Sequence, residues 1–134
     1  MRYHDFHLSG YEVQKFGGEI VLHLVSSEKT AEESHIRFAL VELYHFVHPG
    51  GAIITDIEEV PVFKILDQCW DQIFHWAHQP GGVPHWDHDD RATYQAKLMA
   101  DGYKAWDIRS AIGFAGFVIA KSIEDVTHEY QPSK

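Results

Sequence analysis

The chain has a single cysteine, Cys69, so no internal disulfide can form. Basic residues are also scarce. Eleven Lys and Arg face twenty Asp and Glu, giving a formal charge of −9 with histidine neutral. A nucleic-acid binder carries a basic footprint, and an anionic bilayer surface attracts a polybasic patch; this charge argues against both partners. No apolar run is long enough to span a bilayer. The longest, residues 111–120, contains two glycines. The opening residues, Met1-Arg-Tyr-His-Asp-Phe-His-Leu8, lack the apolar stretch of a secretory signal. The expectation is a soluble protein of the reducing, cytoplasmic compartment. Internal repeats, low-complexity segments and composition shifts are absent, so residues 1–134 read as one domain.

Hydrophobic residues make up 45% of the chain and aromatics 13%, enough for a core without cross-links. The first half reads as strands. Phe6, Leu8, Tyr11 and Val13 alternate except for a slip at Ser9-Gly10, which suggests a bulge. Residues 16–19 form a tight connection, and Ile20, Leu22 and Leu24 line one face of a second strand. A third strand covers about 35–46, with Ile36, Phe38 and Leu40 on one parity and Val41 and Leu43 on the other, so a second irregularity is expected there. A fourth strand covers 52–57. Short connections favour an antiparallel meander.

Helical spacing follows. Val62, Leu66, Cys69, Ile73 and Ala77 recur at steps of three and four, and Phe63, Ile65, Trp70 and Phe74 widen the face. Pro61 suits the first turn and Pro80-Gly81-Gly82 ends the segment. A second helix is expected from Asp90 to Asp101, capped by Asp89 or Asp90, with a thin apolar face of Ala92, Ala96 and Met99. Two more strands follow, one in which Lys104, Trp106 and Ile108 alternate with Tyr103, Ala105 and Asp107 and one at 117–123, with a turn at Gly113-Phe-Ala-Gly116 between them and a polar end after. Four strands, two helices and two strands in chain order predict an α+β domain: an antiparallel sheet of about six strands with both helices on one face. The last hairpin either joins the first strands or extends the meander.

Four of the eleven histidines fall in His75-Trp-Ala-His78-Gln-Pro-Gly-Gly-Val-Pro-His85-Trp-Asp-His88. Imidazole is the commonest metal ligand. On the first helix Asp71, His75 and His78 are neighbours at steps of four and three, opposite the apolar stripe. The following turn can bring His85 and His88 back toward them. His75, His78, His85, His88 and Asp71 are therefore the candidate ligands of a divalent metal. The same spacing also describes an ordinary polar helix face. His-Glu-x-x-His and paired Cys-x-x-Cys signatures are absent. His88-Asp89 resembles the central pair of HD phosphohydrolases, but that scaffold is helical. Trp86 with Asp87, Asp89 and Asp90 is a candidate binding patch, because tryptophan anchors interfaces. Among the strand histidines, His23 and His45 would meet if their strands pair. Cys69 falls on the buried helix face, where an inert thiol is expected.

One segment is familiar. Tyr103-Lys-Ala-Trp106-Asp-Ile-Arg-Ser110-Ala-Ile-Gly113-Phe-Ala-Gly116-Phe-Val-Ile-Ala120-Lys-Ser-Ile123 resembles the closing hairpin of small bacterial proteins, some of them immunity-like proteins of polymorphic-toxin systems. Residues 3–25 are loosely similar to their opening hairpin. The resemblance covers about a third of the chain and implies a bacterial antiparallel α+β domain; it carries over no functional residue. With the net charge, it sets the first expectation: an immunity-like module whose acidic stretches at 56–59, 87–90 and 124–129 cover a basic protein partner. The second is a metal-dependent hydrolase built on the histidine window. An exposed edge strand would also allow a homo-oligomer.

Overall fold

The computed structural model describes residues 6–26, 33–46, 53–77, 90–110 and 113–130. Four strands, two helices and two strands follow one another as the sequence predicts: β1 (Phe6–Gln14), β2 (Glu19–Ser26), β3 (Glu33–Phe46), β4 (Ile53–Val60), α1 (Val62–Ala77), α2 (Arg91–Ala100), β5 (Lys104–Ser110) and β6 (Gly113–Asp125). All strand pairings are antiparallel, and the sheet closes on itself in the order β1-β2-β3-β6-β5-β4. The final hairpin therefore does both things the sequence left open. β6 pairs with β3, and β5 pairs with β4. The seam between β1 and β4 is short, with His7 opposite Ile53 and Phe6 opposite Ile54.

The period-two pattern decides which residues enter the barrel. Ile20, Leu22 and Leu24 of β2, Ile36 and Phe38 of β3, Ile57 of β4, Trp106 and Ile108 of β5, and Val118 and Ala120 of β6 form one buried cluster. At its centre Phe38 and Trp106 pack with ring centroids 5.5 Å apart in a tilted pair. A second cluster lies outside the barrel wall. There Ala105, Phe117 and Ile119 of the sheet meet Val62, Ile65, Leu66, Cys69 and Ile73 of α1 and Tyr94 and Leu98 of α2. Both helices thus cover one face, in two layers around two cores.

Several local expectations need correction. The slip at Ser9-Gly10 is present as a register shift between Leu8 and Gly10. The irregularity in β3 is a shift between Val41 and Leu43, next to Leu40 in a left-handed conformation (φ 53°). However, α2 buries Tyr94 and Leu98, while Ala92 and Ala96 are exposed and Met99 is 61% exposed. The larger side chains, one helical turn apart, bury more apolar area than the alanines do. Phe63 is 50% exposed, so the buried face of α1 is narrower than the spacing suggested. Residues 113–116 belong to β6 itself, and the polar end forms a 3₁₀ turn at Thr127–Tyr130.

Candidate functional site

The sequence-predicted metal set is only partly within the described residues. Asp71 and His75 lie one helical turn apart on the exposed side of α1, as expected. His78, His85, His88, Trp86, Asp87 and Asp89 lie outside the described residues. Among the described residues no group of three His, Cys, Asp or Glu is placed to hold a metal ion. Asp90 is described, and its carboxylate serves the fold. It caps α2, accepting from the Thr93 backbone N–H (3.2 Å) and from the Thr93 hydroxyl (2.8 Å). Those hydrogen bonds hold its carboxyl below the usual range.

The histidines that the fold does bring together are different ones. His23 sits opposite His35 across β2 and β3; His45 lies farther along β3, opposite Phe117 of β6. The predicted meeting of His23 and His45 is therefore replaced by a His23–His35 pair. Its ring nitrogens Nδ1 and Nδ1 are 2.7 Å apart. The position of His23 on β1's side is opposite Gly10, which presents no side chain, and its Nε2 lies 2.8 Å from Glu12 Oε2 on the same strand. Nε2 of His35 lies 3.9 Å from Glu33 Oε2. The His35 side chain is 8% exposed and that of His23 21%. The even-numbered residues of β2 fill the barrel, so this pair is on its outer wall.

One arrangement of protons fits the two short contacts of the neutral pair, to Glu12 and between the rings. Nε2–H of His23 donates to the Glu12 carboxylate, which leaves Nδ1 of His23 as acceptor for Nδ1–H of His35. Burial, and then the neighbouring His23, push the His35 imidazole below its ordinary value; Glu33, Asp125 and Glu12 oppose them.

Beside the pair runs a cluster of charges centred on Arg37. Arg37 of β3 donates through Nε (3.0 Å) and one terminal nitrogen (2.6 Å) to Glu124 Oε1, and through the other to Glu129 Oε2 (3.1 Å). Glu19 accepts the Lys15 ammonium at 2.9 Å and lies 3.9 Å from Arg37 Nε. Its hydrogen bonds to the Glu124 carboxylate raise the Arg37 guanidinium further. Arg91 pairs with Asp67 between the helices.

Two further polar groups lie under the helices. Tyr94 is buried and donates its hydroxyl to Glu42 Oε2 of β3 (2.8 Å), fastening α2 to the sheet. Burial above all pushes its phenol upward. Asp107 of β5 is 1% exposed. Its Oδ2 meets Arg109 at 3.0 Å, while Oδ1 has no hydrogen-bond partner among the described residues. Burial and the nearby Asp107 charge push the Cys69 thiol upward, which fits an inert cysteine. Neither Asp107 nor His35 stood out in the sequence. Alternation placed Asp107 on the outward parity of β5, but not the helices covering that parity.

No family model matches the chain, and neither a curated protein nor a solved structure is significantly similar to it. Among the described residues no helix is long and apolar enough to cross a membrane.

Proposed function

We propose that this chain is a binding module that captures a basic protein partner through an acidic surface, in the manner of an immunity-like inhibitor. The observation that carries the reading is the acidic balance of the chain, a formal charge of −9 with histidine neutral. Among the described residues each arginine, Arg37, Arg91 and Arg109, lies on a carboxylate of its own chain. Glu58, Glu59 and Asp71 are exposed and make no ion pair there. Of the three acidic stretches read from the sequence, 124–129 is partly neutralised by Arg37, and Asp90 of 87–90 is a helix cap. Glu58 and Glu59 then contribute the uncompensated charge, at the end of β4 where the chain enters α1. Such a surface speeds encounter with a basic partner and disfavours acidic ones.

The test is affinity capture from the native cell at low and at moderate salt. A basic protein that is retained at low salt and released by added salt supports the reading. A chain that comes through alone at every salt concentration overturns it.

A second reading is kept because Asp71 and His75 are exposed neighbours on α1, leading into the sequence that carries His78, His85 and His88. In it the chain is a metal-dependent hydrolase in which a divalent ion at these residues activates water. It expects about one zinc, iron or manganese per untagged chain, counted by elemental analysis, with the metal lost on His85→Ala/His88→Ala. A metal content near zero removes this reading.

A further inference from the structure

We propose that the Glu12–His23–His35 chain is a proton-operated fastener that holds the C-terminal 3₁₀ turn against β3 and releases it when both imidazoles are protonated. The turn is tied to the very residue that carries the buried ring. The Val126 N–H donates to the His35 carbonyl (2.8 Å), and the His35 N–H donates to the Thr127 hydroxyl (3.1 Å). Thr127 is in turn held by Asp125, through its own N–H (2.9 Å) and its hydroxyl. Glu129 closes the turn by donating its N–H to the Val126 carbonyl (2.9 Å). Val126 is fully buried beneath this arrangement.

Proton counting shows why the ring pair can act as a switch. The neutral pair shares one hydrogen between the two Nδ1 atoms. A first added proton goes to Nε2 of His35, toward Glu33, and leaves the Nδ1–Nδ1 bond intact. A second must go to Nδ1 of His23, which is already the acceptor of that bond. Two N–H groups would then face each other across 2.7 Å, and the rings must part. The parting is resisted by little bulk, since Gly10 stands opposite His23.

The charged groups around the pair come from every neighbouring element. Glu12 faces it from β1, Glu33 and Arg37 from β3, and Glu124 and Asp125 from β6; His128 and Glu129 are carried by the turn itself. The carboxylates favour the first proton. Burial opposes protonation, as does the charge of the partner ring once one ring carries a proton, and for His35 these dominate. A histidine whose folded value is depressed contributes stability that is present above its unfolded value, about pH 6.5. That contribution is lost as the pH falls through the depressed folded value, so the fastener loosens in acid, not in base. Release also separates Glu129 from Arg37 and so rearranges the acidic surface. That consequence rests on the partner reading above; the release itself does not.

The experiment uses the whole chain without any partner. Amide exchange protection at Val126 and Glu129, corrected for intrinsic rates, is followed from about pH 7.5 to about pH 5. The wild type is expected to lose protection there by roughly tenfold or more, while core amides such as those of β6 hold. In His23→Gln, whose side chain takes no proton, the pH dependence at Val126 is expected to shrink to the part that burial of His35 alone supplies. Imidazole nitrogen shifts of the wild type at neutral pH give a reading that needs no variant. They are expected to show His23 as the Nε2–H tautomer and His35 as the Nδ1–H tautomer. Protection unchanged down to about pH 5, an equal loss in His23→Gln, or the opposite tautomers would each overturn the proposal.

Discussion

Phe38→Ala is expected to lower stability by about 3–5 kcal/mol, a large part of the 5–15 kcal/mol typical of a domain this size. Phe38 is fully buried in the barrel interior, flanked across the sheet by Ile20 and Ile123 and packed on Trp106. The wall around it is a closed ring of strands, which limits how far the cavity can collapse, and incomplete collapse puts the cost toward the upper end of the range. Urea denaturation reads the effect as a drop in midpoint. Phe63→Ala provides the contrast. The Phe63 side chain is half exposed on α1, and its removal is expected to change stability by no more than about 0.5 kcal/mol. Equal losses at the two positions would mean that the barrel interior is not the principal core.

Gly116→Ala is expected to destabilise the chain by about 3 kcal/mol or more. A Cβ built at Gly116 meets the His45 carbonyl oxygen at less than contact distance and lies 2.7 Å from Phe46 Cδ1. The first obstacle is backbone of the paired strand β3, which has no rotamer to change, so β3 and β6 would have to part. Gly10 serves as the comparison: a Cβ there meets nothing within 4 Å, and Gly10→Ala is expected to be nearly neutral. Thermal melts of the two variants separate a close backbone approach from a general dislike of losing glycine.

The fold was readable where local chemistry dominates. Alternation of Ile20, Leu22 and Leu24 placed β2 correctly, and the slip at Ser9-Gly10 located a true register shift. The stripe of Val62, Leu66, Cys69 and Ile73 located α1 and its buried side. Barrel closure was not readable, because the seam rests on a few residues of β1 and β4 that are far apart in sequence. Pattern along a strand says which face is buried, not which strand lies beside it. The same limit explains the histidines. Pairing His23 with His45 required a register that the β2–β3 connection does not give, and the observed register places His35 opposite instead. For α2, alanine spacing suggested one face, whereas the bulk of Tyr94 and Leu98, with the Tyr94–Glu42 hydrogen bond, selected another. Of the candidate site residues, Asp71 and His75 were placed on the exposed helix face as the spacing required, and Asp90 took the capping role that its position before the helix allowed.

The proposed acidic surface and the proposed histidine fastener are expected to depend on pH in related ways. Eleven histidines sit in a chain whose formal charge is −9, so mild acid removes much of the negative field at the same time as it strains the His23–His35 pair. A partner held by charge would then be lost over the interval in which the C-terminal turn loosens. The surface contribution is screened by salt, whereas the buried pair is screened much less, so salt titration at fixed pH distinguishes the two.

The most direct test of the central claim is the affinity of a captured basic partner for the wild type and for Glu58→Lys/Glu59→Lys, measured over a range of salt. Both substitutions are on exposed side chains without ion pairs among the described residues, so the fold should keep its melting behaviour. The account expects the wild type to bind with an affinity that falls steeply as salt rises. It expects the double variant to bind about tenfold or more weakly at low salt, mainly through slower association, and with a flatter salt dependence. Equal affinity and equal salt dependence for the two proteins would contradict it.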